Sequence, residues 1–492
     1  MSPCSDDLRR LCAELVVVRA SGHLGDAERE YPQWELPNAE LQRLLAAGVG
    51  GVILLGGRAS ELRLRTQQLR RWAGQPLLLC ADVEEGVGQR FSGASWLVPP
   101  LALGRLYDRE PGRAVALAER YGRCTGQEAR ATGLNWVLGP VCDVNNNPAN
   151  PVINVRAWGE APATAGALAA AFIRGLQAEG VLSCAKHFPG HGDTGSDSHL
   201  ELPLLPHDRA RLEAIELPPF QAAIAAGVSA VMTAHLVLPA LDPHRPATLS
   251  QAVLTHLLRD AMGFRGLVVT DALVMEAISG HYGPGEAAVL AVEAGADLVL
   301  MPAAADGAIE ALVGAVADGR LTREQLERSA QRRRTALGQT CQPAHDGARL
   351  EPIEPDTALA RELVAATLIQ KSGAPLPAGG GLNLLRLDDA LAAPFLPARS
   401  PALALTAQAG FHSLLLENRS PSPWSDNPDA PLALDRLGAG PVLLQLFVRG
   451  NPFRGSAAGR EPWPAAVQQL QTANRLAGLV VYGSPYLWEQ LA

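Results

Sequence analysis

The sequence predicts a parallel α/β fold: a (β/α)8 TIM barrel followed by a smaller α/β domain, sandwich-like with helices on both faces of its sheet. Three observations predict it. Short apolar runs alternate with helical stretches over roughly 300 residues, the pattern of a parallel α/β fold. Each run is almost wholly apolar, as strands buried on both faces must be. Polar, chemically capable residues gather at the C-terminal ends of those runs, where a barrel converges on one face.

The runs follow in order. Leu15 to Ala20 (LVVVRA) is the first strand candidate, then Val49 to Gly56 (VGGVILLG) and Pro76 to Asp82 (PLLLCAD). Next come Leu134 to Val144, Val181 to Phe188, Val228 to Leu236, Gly266 to Leu273 and Ala296 to Pro302. Between them, Ala163 to Gly180 and Leu217 to Gly227 carry helical spacing and end in glycine, a helix-stop signal. The basic stretch Arg323 to Gln339 reads as a solvated last helix. Residues 342–355 are Pro-rich and aperiodic, which marks a linker. The boundaries are therefore 1–341 for the barrel, 342–355 for the linker and 356–492 for the second domain. In that domain a helix-like stretch, Asp356 to Gln370, precedes three strand-like runs: Leu382 to Leu387, Val442 to Val448 and Leu476 to Gly483.

The chain has 492 residues, 47% of them hydrophobic, with mean hydropathy near zero, enough for a large core. A net charge of −8 argues against nucleic acid as the main partner, because phosphate binding needs clustered Lys and Arg. The seven cysteines are dispersed and form no CxxC pair, which reads as reduced thiols. The early apolar run Leu15 to Val18 is too short for a signal core, and no window of about 20 apolar residues suggests a membrane span. The expectation is a cytoplasmic enzyme with no membrane association.

Asp82, Lys186, His187, His235 and Asp271 each sit at or near the end of an apolar run, which a shared pocket explains better than chance. The densest cluster is KHFPGHGDTGSDSH, Lys186 to His199. Its glycines, Gly190, Gly192 and Gly195, disfavour a helix and imply a tightly folded loop on a glycine-rich hinge. Asp197 and His199 are alternate residues, so extended chain sets them side by side. Such a pair is a proton-transfer device, the carboxylate orienting the ring and favouring its charged form. A metal site built on His187, His191 and His199 competes with this reading. It lacks a familiar zinc pattern and contains a cation, Lys186. Asp271 at a strand end is open to two readings: an ionised nucleophile, or an N-cap for the next helix.

These segments resemble glycoside hydrolase family 3, specifically its β-N-acetylglucosaminidases. The loop Lys186 to His199 is similar to that family's signature loop, and VVTDAL to its nucleophile motif. DVEEGVGQRF (Asp82 to Phe91) resembles DQEGGRVQRF, and NPVINVRAWG (Asn150 to Gly159) resembles a stretch ending in Arg-Ser-Phe-Gly. Val83, Glu85, Val87 and Gly88 depart from the first pattern, and Ala157 and Trp158 from the second, while Asp82, Arg90 and Arg156 are retained. Glu84 and Glu85 read as part of the Asp82 loop.

The resemblance implies Asp271 as nucleophile, His199 as general acid and base, and Asp197 as its partner. It implies Asp82, Arg90, Arg156, Lys186 and His187 as binders of the sugar, with no cofactor and no metal. The implied activity is retaining release of terminal β-linked GlcNAc, from peptidoglycan fragments in cell-wall recycling. The alternatives are chitooligosaccharides as substrate, phosphorolysis in place of hydrolysis, and a non-catalytic sugar-binding protein. A β-glucosidase of the same family fits less well, since those enzymes usually lack this loop.

Overall fold

A computed structural model describes residues 3–341, 354–371, 375–377, 379–387, 396, 399–416, 423–427, 430–448 and 461–491. By internal packing the chain divides into two units. One comprises Met1–Asn147 with Arg156–Thr367, the other Pro148–Val155 with Leu368–Ala492.

In the first unit all eight expected runs form strands. They are β1 (Val16–Ala20), β2 (Gly51–Leu54), β3 (Leu78–Ala81), β4 (Trp136–Val137), β5 (Cys184–Phe188), β6 (Ala230–Thr233), β7 (Leu267–Val269) and β8 (Val299–Leu300). They pair in parallel as a five-stranded sheet, β8-β1-β2-β3-β4, and a three-stranded sheet, β5-β6-β7. Isolated parallel bridges join Trp136 to Leu182 and Val269 to Leu298, at the two places where the sheets meet.

Side-chain alternation sorts the core into two layers. Val17, Ile53, Cys80, Trp136, Cys184, Met232, Val269 and Leu300, one from each strand, pack into a common inner cluster. Their neighbours Val16, Val52, Leu79 and Val268 pack outward with the helices. The glycine stops are in place: Gly180 and Gly227 have φ of +71° and +79°, which a residue with a Cβ rarely adopts.

The last helix, Arg323–Gly338, is less solvated than its charge run suggests. Ser329 and Arg333 are buried, and Arg333 donates to the carbonyls of Gly50 and Pro76 at the entries to β2 and β3. Satisfying strand-end carbonyls is what keeps a buried guanidinium tolerable. The helix Thr357–Thr367 also belongs by packing to the first unit. The sequence expectation opened the second domain at Asp356, but Leu359, Leu363 and Ala366 are buried in the first unit's core. The expected linker lies outside the described residues apart from 354 and 355.

Among its described residues the second unit carries four parallel strands: β9 (Gly381–Leu387), β10 (Phe411–Leu416), β11 (Val442–Val448) and β12 (Leu476–Gly483), in the order β10-β9-β11-β12. Leu384, Leu444, Leu446, Trp463, Val467 and Leu470 fill its core. Strand β10 is absent from the sequence expectation. Its exposed His412 and Ser413 break the apolar run that revealed the others.

Asp297, just before β8, ties three elements together. It accepts the Val268 amide of β7 (2.9 Å), pairs with buried Arg259, and takes Ser329 Oγ and Arg332 Nη1 from the last helix (both 2.9 Å). Asp297→Ala leaves Arg259 buried without its countercharge. The expected loss is about 3 kcal/mol, read from the denaturant midpoint of the first unit, with Asp297→Asn falling between.

Candidate active site

The strand ends bring most of the expected residues together. Lys186 and His187 lie just before Phe188, the last residue of β5, and their shared peptide is cis. Lys186 is buried, with Nζ 2.7 Å from Asp82 Oδ1 and 2.6 Å from Glu84 Oε1. Arg156 grips Glu84 with two hydrogen bonds of 2.8 Å, from Nε and Nη2. Two carboxylates and two cations thus form one network, with Glu84, Lys186 and Arg156 buried and Asp82 partly exposed. Burial opposes the charges of the buried three, but the opposite charges prevail: Glu84 is held well below the carboxylate range, and Lys186 and Arg156 are raised. Arg90 is exposed and donates from Nε to the Asp82 carbonyl (3.3 Å).

Glu84 and Asp143 were not singled out by the sequence, and both are central. Glu84 turns into the cation pair, whereas Glu85 accepts Trp96 Nε1 (2.8 Å), so the adjacent glutamates do different work. Asp143 is fully buried at the end of the Leu134–Val144 run, where the strand-end rule that picked out Asp82 would have found it. It accepts His187 Nδ1 (2.8 Å) and the His191 amide (2.7 Å). A carboxylate can only accept, so His187 carries a proton on Nδ1. Its Nε2 lies 3.5 Å from Arg156 Nη2. Burial works against the Asp143 charge, but His187 and His191 hold its carboxyl below its usual value.

Asp271 follows β7. The next helix begins at Glu276 with Met275 at its N-cap, so the capping role does not fall to Asp271. Its Oδ1 accepts the Ala272 amide (2.7 Å). Burial disfavours its charge, but His235, His187 and His199 with that amide outweigh burial and hold it at about 2. His235 is buried with Nδ1 2.8 Å from Thr248 Oγ1 and Nε2 3.1 Å from the Ala272 carbonyl. Desolvation lowers its pKa.

The glycine-rich loop ends in the expected pair. Asp197 Oδ1 lies 2.9 Å from His199 Nδ1 and also accepts the His199 amide at 2.9 Å. Asp197 is buried, while His199 is partly open. Two of the three glycines are steric necessities. A Cβ on Gly190 would lie 2.7 Å from Glu216 Cβ, and one on Gly192 would lie 1.8 Å from the Val144 carbonyl oxygen. Gly195, at the exposed tip, would meet nothing within 4 Å.

Residues 8–336 match the model of the glycosyl hydrolase family 3 N-terminal domain, and residues 378–492 that of the bacterial glycosyl hydrolase family 3 C-terminal domain. A beta-hexosaminidase of Stenotrophomonas maltophilia is 37% identical over 286 residues, covering 57% of this chain and 84% of that protein. Beta-hexosaminidase A of Pseudoalteromonas piscicida is 37% identical over 288 residues, 54% of this chain and 48% of the relative's own length. The solved structure of a glycoside hydrolase family 3 beta-N-acetylglucosaminidase from Paenibacillus sp. str. FPU-7 superposes with a TM-score of 0.79 at 30% identity, covering 98% of this chain and 91% of that one.

Two outcomes follow from the electrostatics. Glu84→Gln leaves Lys186 and Arg156 with less countercharge; the expected cost is about 3 kcal/mol of stability at neutral pH, measured by denaturant unfolding. The second concerns His191, which burial depresses to about 4. Between its ordinary value near 6.5 and that point the unfolded chain binds a proton that the folded chain refuses. Stability therefore falls as pH drops through this window, by up to about 1.4 kcal/mol per pH unit. Urea midpoints across pH 7 to 4 should show a shallower slope for His191→Asn.

Proposed function

The chain belongs to glycosyl hydrolase family 3, and on that premise we propose that it is a retaining exo-β-N-acetylglucosaminidase. The observation that carries this reading is Asp271: a half-buried carboxylate held ionised, its pKa lowered to about 2, within the electrostatic reach of His199. We read the two sheets of the first unit as one closed (β/α)8 ring with the site at the C-terminal ends of its strands. The bridges at both seams and the inner cluster drawn from all eight strands support this. In this reading residues 1–341 are the catalytic domain and the C-terminal region is the family's second domain.

Glycosidic cleavage passes through an oxocarbenium-like state and needs an acid on the leaving oxygen and a nucleophile on the opposite face. Asp271 attacks C1 and forms the bond to the anomeric carbon as the glycosidic bond breaks. Protonated His199 gives its proton to the departing oxygen, and Asp197 steadies the ring. Neutral His199 then takes a proton from water, which attacks C1 and releases Asp271, restoring the β configuration. Asp82, Lys186, Arg156, His187 and Arg90 form the sugar-binding set. Lys186 and Arg156 offer donors to hydroxyls and to the acetamido oxygen, and Asp82 accepts from hydroxyls. Peptidoglycan fragments released in cell-wall recycling are the substrate class we favour. A reducing, cytoplasmic setting agrees with Cys12, Cys80, Cys124, Cys142 and Cys184, which are buried free thiols. Among the described residues, no helix is long and apolar enough to cross a membrane.

Asp271→Ala should lower kcat on p-nitrophenyl β-GlcNAc by about 10⁴-fold or more, and unchanged turnover would overturn the mechanism. The same assay with and without phosphate, scored for GlcNAc against GlcNAc-1-phosphate, decides between water and phosphate as acceptor. Muropeptides and chitooligosaccharides run side by side decide the substrate class.

A further inference from the structure

The dyad loop is fastened at its root by a histidine that the mechanism does not use. His191 is buried, and both of its ring nitrogens are engaged within the loop. Thr194 Oγ1 lies 2.6 Å from Nδ1, and Ser198 Oγ lies 3.0 Å from Nε2. Ser198 stands between Asp197 and His199. The ring therefore spans the exposed tip at Gly195 and holds the chain on both sides of it. The His191 amide in turn donates to Asp143, the carboxylate that also holds the His187 ring. Gly192 presses the following backbone against Val144, next to Asp143. On the outer side Asp193 is braced by His207 Nε2 (2.8 Å) and Arg211 Nη2 (3.1 Å). Arg211 also reaches the buried Glu216 (3.2 Å).

We propose that His191 is a positioning residue for proton transfer: through Ser198 it fixes the Asp197–His199 pair, and through Asp143 it ties that pair to the sugar-gripping His187. The proposal rests on the reading of His199 as acid and base given above. A residue placed by hydrogen bonds on two sides loses fewer rotational states when the reaction demands one geometry. The path from His187 to His199 runs through a single buried carboxylate and one imidazole, so occupancy of the sugar site and alignment of the acid share a common support.

The test separates mispositioning from general damage by varying how much the leaving group needs a proton. Phenyl β-GlcNAc needs acid assistance, whereas 2,4-dinitrophenyl β-GlcNAc departs almost without it. Ser198→Ala removes one bond from the ring, and His191→Leu removes both. Each should lower kcat/KM for the phenyl glycoside by about tenfold or more, a part of the 10²–10⁴ that a positioned acid supplies. The dinitrophenyl glycoside should change less than about threefold in kcat/KM, because its bond cleavage bypasses the acid. Ser198→Thr, which keeps the hydroxyl, should restore the phenyl rate. Equal losses on both substrates, or none on either, overturn the proposal. His199→Ala is the control: the same steep leaving-group dependence there upholds the acid assignment whatever the other variants do. Its absence overturns that assignment and the proposal with it, a result distinct from failure at position 198 alone.

Discussion

The site depends on charge balance in a place that water barely reaches. Asp82, Glu84, Asp143 and Asp271 come together at strand ends, and burial disfavours the charge on Glu84, Asp143 and Asp271. Arg156 and Lys186 offset it for Glu84, and the imidazoles of His187 and His235 do so for Asp143 and Asp271, while Lys186 also pairs with Asp82. Lys186 and Arg156 are buried against Glu84, which meets both, and the fold must deliver these three to within a hydrogen-bond length.

That delivery has an economy of parts. Lys186 and His187 are consecutive residues, yet one belongs to the Asp82–Glu84 side and the other to Asp143. A few residues on, the same segment supplies Asp197 and His199. The proposed binding groups and the proposed proton-transfer pair come from one stretch of chain, and the close backbone approach of Gly192 to Val144 helps to set their spacing. The departures of the Asp82 loop from the family pattern find a place here as well. Glu85, where the family usually has glycine, is bonded to Trp96 on another part of the same loop, and Glu84 remains free to serve the cations.

The sequence was most informative where burial is complete. Eight apolar runs translate into eight strands because a strand covered on both faces tolerates few polar residues, and glycine stops mark helix ends because few other residues take positive φ. Strand-end position and motif together single out Asp271, Asp197, His199, Lys186, His187, Asp82 and Arg156 as candidates, and the structure sets Lys186 against Asp82 and pairs Asp197 with His199. Arg333 was hidden inside a charge run, since nothing in the local pattern distinguishes an arginine that caps strand carbonyls from one in solvent. Glu84 was masked by its neighbour Glu85, because a loop has no periodicity from which to tell inward from outward. Strand β10 carries polar residues at its centre and gave only half a signal. The seam at Asp297 is likewise invisible to local reasoning, joining residues about 30 positions apart on either side.

Gly195 stands apart from its two companion glycines, for no atom waits where its side chain would be. Positions 190 and 192 are closed to any other residue by the backbone or side chain they face, and 191, 194 and 198 are committed to one another. Divergence in this loop is thus channelled to a single turn. A bulky or charged residue placed at 195 would project into open space without meeting what lies beneath. The loop is thus a frame braced from within, open at its tip, where a change of side chain leaves the Asp197–His199 pair untouched.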